Sequence, residues 1–219
     1  MNIQIGHDTA LVESKKKLIS GTYLHNAWYV AAWSHELPDG KVIGRTFLNE
    51  PVVLYRQGNG EVVALDDRCP HRFAPLSMGQ VLDGNRIQCP YHGLEFNASG
   101  ACVLNPHGNK HISSRLHVKN YPVLEKHNAI WIWMGDKTPD PSKVPDFSVM
   151  DNVPELHSTK RDKIMIKANV ELIIDNLLDL SHTAYLHAGI LGSHAKWARL
   201  LRHLRYVVVD ECHTYRGVF

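Results

Sequence analysis

Two short cysteine and histidine pairs constrain this chain more than any other feature of its sequence. The first pair is Cys69-Pro70-His71, and the second, Cys89-Pro90-Tyr91-His92, follows after 17 intervening residues. Each pair is short enough for one loop to present it, so two loops can hold one metal centre between them. Two thiolates and two neutral imidazoles suit either a tetrahedral zinc ion or a [2Fe–2S] cluster with cysteines on one iron and histidines on the other.

The spacing within the pairs favours the cluster, with a zinc knuckle as the alternative. Zinc sites usually place two or more residues between paired ligands, whereas only Pro70 stands between the first two here. Ligands this close can point to different irons of a binuclear cluster. With a proline after each cysteine and Gly93 after the second histidine, the motifs resemble the Rieske fold family, in which such loops lie at the tip of a small β domain. The resemblance implies a [2Fe–2S] cluster held by Cys69, His71, Cys89 and His92.

The region from residue 27 to residue 134 has the pattern of an all-β domain. Short β-type runs are separated by turn residues, and the clearest runs cover residues 27–33, 52–55, 61–65 and 129–133. The turn sequences QGNG at 57–60 and NASG at 97–100 predict two hairpins. We therefore expect a small antiparallel barrel or sandwich.

A proline-rich stretch follows this domain and predicts a linker. Its prolines stand among Asp, Ser and Lys residues, at Pro139, Pro141, Pro145 and Pro154. Beyond it, residues 161–168 are compatible with a strand. Residues 170–185 have apolar side chains at helical spacing after Asn169, a plausible N-cap.

Together these patterns predict an α+β chain with five parts. They are an N-terminal segment (1–20), the all-β Rieske-like domain (21–135), the linker (136–154), the start of an α+β second domain (155–189) and an atypical tail (190–219).

Composition and charge give no support for several classes of partner and compartment. The chain has 24 Lys plus Arg against 22 Asp plus Glu, so charge gives no reason to expect nucleic acid or an anionic membrane as partner. The first residues lack the order of a signal peptide, and no stretch approaches the roughly 18 apolar residues that span a bilayer. Four cysteines are too few for a disulfide framework. We expect a soluble, cytoplasmic protein in which Cys102 and Cys212 are small buried hydrophobes.

A second candidate metal site lies on the predicted helix. His182 and His187 are five residues apart and follow Asp175 and Asp179. At about 100° per residue, positions five apart diverge by about 140°, so both imidazoles reach one ion only if the helix bends or ends between them. Gly189 is well placed to end it. Taken alone, the segment fits metal binding and two ordinary histidines on an amphipathic helix equally well.

Beside the cluster motif, this segment resembles the mononuclear iron site of Rieske non-haem iron oxygenases. The resemblance implies that His182 and His187 bind Fe(II) with a later carboxylate, leaving positions open for O₂ and substrate. It assigns Asn176 to the same site. Asp179 is implied to bridge an iron-binding histidine and a cluster-binding histidine of the neighbouring subunit in a homotrimer, where it would fix the histidine tautomer. The simpler interpretation of Asp179 is a solvated helix charge.

A more specific resemblance, over residues 23–187, is to the aromatic-acid O-demethylase branch of these oxygenases. It is carried by the segments NAWYVAA (26–32), CPHRFAPLS (69–77), YHGLEF (91–96) and NPHGN (105–109). It implies electrons from a reductase or ferredoxin, their passage through the cluster to the mononuclear iron, and O₂-dependent hydroxylation or O-demethylation of a small aromatic substrate. The second domain of this family is an α+β, helix-grip-like fold.

The resemblance is incomplete after His187. Chains of this family run well past the second histidine to the carboxylate that completes the iron site, and 32 residues follow it here. Asp210 and Glu211 are the only acidic residues among them, and neither lies in the family's sequence context, so no third ligand is assigned. We therefore expect a truncated catalytic domain with exposed apolar surface. An electron-transfer iron–sulfur protein without oxygenase turnover is the alternative function.

The tail resembles a different family. Residues 204–209 form an apolar strand pattern that runs into Asp210-Glu211-Cys212-His213, similar to the magnesium-binding motif of a DEAD/DEAH-type helicase. That family also needs a glycine-rich phosphate loop ending in Gly-Lys-Ser/Thr, which this sequence lacks. A helicase activity is therefore disfavoured, and a junction between Leu186 and His194 is the hypothesis for this stretch.

Overall fold

The structure, a computed structural model, describes residues 23–148, 151, 163–179 and 182–186. Within them, eleven strands come first and two α-helices follow, so the mostly β Rieske-like domain predicted from the sequence is confirmed. Among these helices, none has the length and apolar character that crossing a membrane requires. The N-terminal segment, the tail and most of the predicted helix-grip-like domain lie outside the described residues.

The strands form three antiparallel sheets. In chain order they are β1 (Ala27–Trp33), β2 (Val42–Phe47), β3 (Glu50–Arg56), β4 (Val62–Asp66), β5 (Gln80–Leu82), β6 (Arg86–Gln88), β7 (Glu95–Phe96), β8 (Cys102–Leu104), β9 (Asn120–Tyr121), β10 (Val123–Lys126) and β11 (Ala129–Met134). The first sheet has the order β1-β11-β10, the second β2-β3-β4-β9 and the third β5-β6-β7-β8.

All four predicted strand runs and both predicted hairpin turns are confirmed. The runs correspond to β1, β3, β4 and β11. In the first turn the Gly60 N–H donates to the Gln57 carbonyl at 2.8 Å, and in the second the Gly100 N–H donates to the Asn97 carbonyl at 2.9 Å. These turns were predictable because glycine at a positive φ closes them without steric cost.

Two apolar clusters fill the space between the sheets. Successive residues of β3 point to opposite faces, so Leu54 packs in the first cluster, between the first and second sheets, and Tyr55 packs in the second cluster, between the second and third sheets. Both side chains are fully buried. The second cluster also contains Cys69 and Cys89, so one end of the candidate metal site is part of the core.

The described part of the predicted linker, residues 136–148, lies against the outer face of the first sheet and is here called the strap. The Trp28 indole N–H donates to the Asp140 carbonyl at 2.8 Å, and the Trp133 indole N–H donates to the Lys137 carbonyl at 2.9 Å. The domain boundary stays a prediction, but these indoles bind the backbone of the strap to the sheet.

Apolar and ionic contacts hold the strap further along. Val144 is buried against Trp131, and the Phe147 ring stacks on Trp131 with centroids 6.1 Å apart. The buried imidazole of His127, in the turn between β10 and β11, lies with Nδ1 2.8 Å from an Asp151 carboxylate oxygen. Contacts with the β domain are therefore made by the strap and by Asp151.

Helix α1 (Val170–Leu178) begins as predicted but ends early. The Asn169 side chain caps it by accepting a hydrogen bond from the Glu171 N–H at 2.8 Å. We expected the helix to reach residue 185; instead Asp179 is extended, and a separate short helix α2 (Thr183–Leu186) follows.

The strand proposed over residues 161–168 is wrong for its described part. Residues 163–168 form no ladder, because no described strand lies beside them. The expected exposure of apolar surface in this region is confirmed, since Ile164 is 86% exposed and Leu172 is 66% exposed.

Gly79 directly precedes β5 and lies close to the backbone at the end of β6. Gln80 pairs with Gln88 across the two strands, and a Cβ at position 79 would lie 2.0 Å from the Gln88 carbonyl oxygen. A side chain of any size at this position would push the strands apart.

Tyr55 provides a test of the core. Among the described residues its buried hydroxyl has no hydrogen-bond partner, and burial raises the pKa of Tyr55 to about 12. Tyr55→Phe removes a desolvated, unpaired group and should raise the free energy of unfolding by about 1 kcal/mol. The matched variant Tyr121→Phe removes a hydroxyl that donates to Glu50 at 2.5 Å and should lower it by about 1 kcal/mol. Urea denaturation measures both, and destabilisation by Tyr55→Phe would contradict the assignment.

Gly79→Ala should lower the free energy of unfolding by about 2–3 kcal/mol, because the new methyl group overlaps the β6 backbone. Gly58→Ala is the control: its Cβ would lie 3.7 Å from Gly84 Cα, an ordinary contact, so a change within about 0.5 kcal/mol is expected. Equal urea midpoints for the two variants would show that β5 and β6 can separate without cost.

Candidate metal centre

The two cysteine and histidine motifs form two loops of the same design. The first Cys/His loop (residues 69–74) lies between β4 and β5, and the second Cys/His loop (residues 89–94) lies between β6 and β7. In each, the cysteine N–H donates to the carbonyl five residues later, and its carbonyl accepts from the N–H four residues later. The distances are 2.9 Å for Cys69 to Ala74, 2.8 Å for Phe73 to Cys69, 2.8 Å for Cys89 to Leu94 and 3.0 Å for Gly93 to Cys89.

Both loops turn through a left-handed residue at the same position. Phe73 has φ 58° and Gly93 has φ 69°, each four residues after its cysteine. Glycine adopts this conformation freely, whereas in Phe73 it costs about 1 kcal/mol. The Phe73 side chain is 73% exposed, so its own burial does not offset this cost. Closure of the loop thus imposes the conformation.

The two cysteine side chains meet in the interior. Cys69 is 1% exposed and Cys89 is 2% exposed, and their thiol groups are within hydrogen-bonding distance of each other. Burial raises the pKa of the Cys69 thiol to about 11, although the backbone N–H groups of His71 and Arg72 donate to its sulfur and act in the opposite direction. Thiols in this environment become thiolates only when a metal supplies the compensating positive charge.

The two histidine side chains meet at the surface. The ring centroids of His71 and His92 are 4.6 Å apart, and Tyr91 packs against His92 with centroids 4.0 Å apart. Partial desolvation, followed by the nearby His71, His107 and Arg72 groups, lowers the pKa of His92. A lowered pKa favours the neutral imidazole, which is the form that binds metal.

This arrangement fits a binuclear cluster better than a single zinc ion. Among the described residues, no three His, Cys, Asp or Glu side chains converge as the ligands of one ion must. Two thiols instead pair at the buried end and two imidazoles pair at the exposed end. A [2Fe–2S] cluster with cysteines on one iron and histidines on the other needs this division of donors.

Asp67 closes the base of the first Cys/His loop. This carboxylate is 8% exposed and accepts hydrogen bonds from the Ser77 N–H at 2.6 Å and the Ser77 hydroxyl at 2.5 Å. The Asp67 N–H donates to the Pro51 carbonyl at 2.9 Å. Asp67 was not predicted from the sequence, because an aspartate beside a turn gives no local sign of a partner ten residues away.

A third loop contacts the second Cys/His loop from outside. This supporting loop (residues 105–111) places the His107 Nε2 atom 2.7 Å from the His92 carbonyl oxygen. It also places Pro106 beside Gly93, where a Cβ would lie 3.4 Å from Pro106 Cγ. The segment was noted in the sequence only for its family resemblance, which gave no role for His107.

The second predicted metal site is only partly described. Asn176 lies in the last part of α1, and Asp179 follows the helix, with its N–H donating to the Asp175 carbonyl at 2.9 Å. The His182 carbonyl accepts hydrogen bonds at the start of α2. The chain thus breaks its helix between Asn176 and His182. His187 lies outside the described residues, so its pairing with His182 stays a prediction, and the same holds for Asp210 and Glu211.

Comparison with known protein families agrees with the arrangement of the first site. Residues 27–122 match the Rieske [2Fe–2S] domain, and residues 166–216 match the vanillate O-demethylase oxygenase C-terminal domain. The second match includes residues 190–216, so the helicase motif is not the only resemblance of that stretch. The hypothesis of a junction between Leu186 and His194 stays a prediction.

Individual relatives are oxygenase components. The chain is 48% identical over 167 residues to the oxygenase component of dicamba O-demethylase from Stenotrophomonas maltophilia, covering 76% of this chain and 48% of that protein. It is 46% identical over 172 residues to the iron–sulfur subunit of a toluene-4-sulfonate monooxygenase system from Comamonas testosteroni, covering 78% and 48%. The chain therefore spans about half the length of these relatives.

Solved structures give the same result. The crystal structure of dicamba monooxygenase bound to 3,6-dichlorosalicylic acid matches with a TM-score of 0.68 and 44% identity, over 81% of this chain and 51% of that chain. The structure of the same enzyme with non-haem iron and dicamba matches with a TM-score of 0.63 and 46% identity, over 74% and 48%. This chain therefore carries a Rieske [2Fe–2S] domain followed by part of a vanillate O-demethylase oxygenase C-terminal domain, and its relatives include the oxygenase component of dicamba O-demethylase.

Proposed function

We propose that this chain acts in the oxygenase component of a Rieske non-haem iron oxygenase and that four residues hold its cluster. The observation that carries the proposal is the meeting of two buried thiols and two surface imidazoles at one end of the β domain. These four residues are Cys69, His71, Cys89 and His92. When bound, the cluster supplies one-electron transfer at a potential that imidazole ligation raises.

The protein around the four residues separates the two ends of the site. Cys69 and Cys89 lie in the second apolar cluster, which excludes water from the thiolate end. His71 is exposed and His92 is partly exposed, so the imidazole end is open to an electron donor or acceptor. A bound cluster would therefore exchange electrons through the histidine side.

The second proposed metal site is formed by the segment after the strap. We assign His182 and His187 as ligands of Fe(II), Asn176 to the same site, and Asp179 as the residue that orients an iron-binding histidine. A carboxylate bonded to a ligand imidazole fixes its tautomer. The match of residues 166–216 to the vanillate O-demethylase oxygenase C-terminal domain supports this assignment. The carboxylate that would complete the site is not assigned.

The reaction class follows from the relatives. Their names include dicamba, toluene-4-sulfonate and vanillate, which are small anionic aromatic compounds. We assign this chain to O₂-dependent hydroxylation or O-demethylation of a small aromatic substrate. In O-demethylation, one oxygen atom enters a methyl C–H bond and the product separates into a phenol and formaldehyde. The other oxygen atom takes up two electrons and two protons and leaves as water.

Two electrons per turnover require a donor. The relatives are described as a component or a subunit of a system, which supports a separate reductase or ferredoxin as partner. A homotrimer and a cytoplasmic location complete the proposal. The homotrimer rests on family resemblance.

Iron and acid-labile sulfide in anaerobically purified protein test the cluster. We expect about two irons and two sulfides per chain from the cluster, and the electron paramagnetic resonance signal of a Rieske centre after reduction with dithionite. Cys89→Ser should remove both. Cys102→Ser is the matched control, because Cys102 is also buried but lies outside the loops. Zinc without sulfide would contradict the proposal.

The amount of iron in excess of the cluster tests the second metal site. If His182 holds mononuclear iron, wild-type protein contains about one iron more than sulfide accounts for, and His182→Ala loses it while keeping the sulfide. His35→Ala is the control, since His35 lies in a turn of the β domain, far along the chain from either motif. Equal iron in wild type and His182→Ala would leave only the electron-transfer alternative.

A further inference from the structure

We propose that His107 is a positioning residue for the cluster site: its ring donates a hydrogen bond to the His92 carbonyl and fixes the second Cys/His loop. This inference rests on the proposed function, because it concerns the loop that carries Cys89 and His92. It adds a residue outside the two ligand motifs.

The geometry determines which atom carries the proton. His107 Nε2 lies 2.7 Å from the His92 carbonyl oxygen, and a carbonyl can only accept. The Nε2 atom of His107 is therefore protonated. The two rings also meet edge to face, with centroids 5.9 Å apart and an interplanar angle of 84°. His107 thus contacts both the backbone and the ring of His92.

The supporting loop holds His107 in place. The Asn105 side chain accepts a hydrogen bond from the His107 N–H at 3.1 Å and donates one to the His111 carbonyl at 2.8 Å. The His107 carbonyl accepts from the Lys110 N–H at 3.0 Å. Although the His107 side chain is exposed, its backbone is fixed on both sides, so the ring loses little freedom when it donates to His92.

The second Cys/His loop has a tip that needs support from outside. Its base is fixed by the hydrogen bonds of Cys89 with Gly93 and Leu94. Between these points, Pro90 has no N–H to donate and the Tyr91 side chain is 63% exposed. The first loop has a proline at the same position, Pro70, and the N–H groups of His71 and Arg72 reach the Cys69 sulfur from within. His107 adds to the second loop a hydrogen bond from outside the ligand motifs, at the carbonyl of His92.

The expected consequence is a change in the reduction equilibrium of the cluster. Donors near a cluster stabilise its more negative, reduced form, and partners of ligand residues fix ligand orientation. Removing the His107 donor should therefore disfavour reduction and change the orientation of the His92 imidazole.

The test compares three variants of the full chain. His107→Leu removes the donor, and His107→Gln keeps an N–H group at a position close to Nε2. His111→Leu is the matched control, an exposed histidine of the same loop whose side chain makes none of these contacts. Iron, sulfide, the midpoint potential and the g values of the reduced cluster are measured for each.

We expect His107→Leu to lower the equilibrium constant for one-electron reduction by about threefold to tenfold, the range of one hydrogen bond. Its g values should also change. His107→Gln and His111→Leu should stay within about twofold of wild type. Loss of the cluster from His107→Leu alone, with the other two variants loaded, would also support the positioning role.

Either of two results would overturn this inference and leave the proposed function intact. One is a loaded His107→Leu variant with the same potential and g values as His111→Leu. The other is a His107→Gln variant that behaves like His107→Leu, which would show that the donated hydrogen bond has no part in the effect. Wild-type protein without iron and sulfide would overturn the proposed function as well, so the two failures are distinguishable.

Discussion

The antiparallel pairing of β5 with β6 is the constraint on which the metal centre depends. Gln80, at the start of β5, pairs with Gln88, at the end of β6. The chain therefore enters β5 after the first Cys/His loop and leaves β6 into the second at the same end of the third sheet. The absence of a side chain at Gly79 allows this approach. A register shift of one residue would turn every side chain of a strand to the opposite face and would displace Cys89, which directly follows β6. Strand register thus determines where the second Cys/His loop begins relative to the first.

The opposite environments of the two ends link metal binding to folding. The thiol end is part of the apolar core, where uncompensated thiolates are costly, so the core and the metal-bound state stabilise each other. The imidazole end is open and needs mechanical support instead. Asp67 and His107 provide it from outside the ligand motifs, one beneath the first loop and one beside the second.

Local features of the sequence predicted much of this fold. Glycine turns, β-branched runs and the Asn169 cap act over a few residues, and all were found where expected. The end of α1 was missed because apolar periodicity continues past Asp179, where the backbone becomes extended. The strap was taken as a linker because prolines exclude a helix but do not exclude packing. Asp67 and His107 depend on distant partners, which spacing alone does not reveal.

The strap also determines how the β domain could be moved into another protein. The matched Rieske region ends at residue 122, before β10 and β11, yet β11 pairs with β1 and both strands of that pair carry indoles bonded to the strap. A graft cut at residue 122 would leave β1 as an open edge, and one cut at 135 would uncover the tryptophan face. A portable electron-transfer unit must therefore include the chain to Asp151, where His127 anchors it.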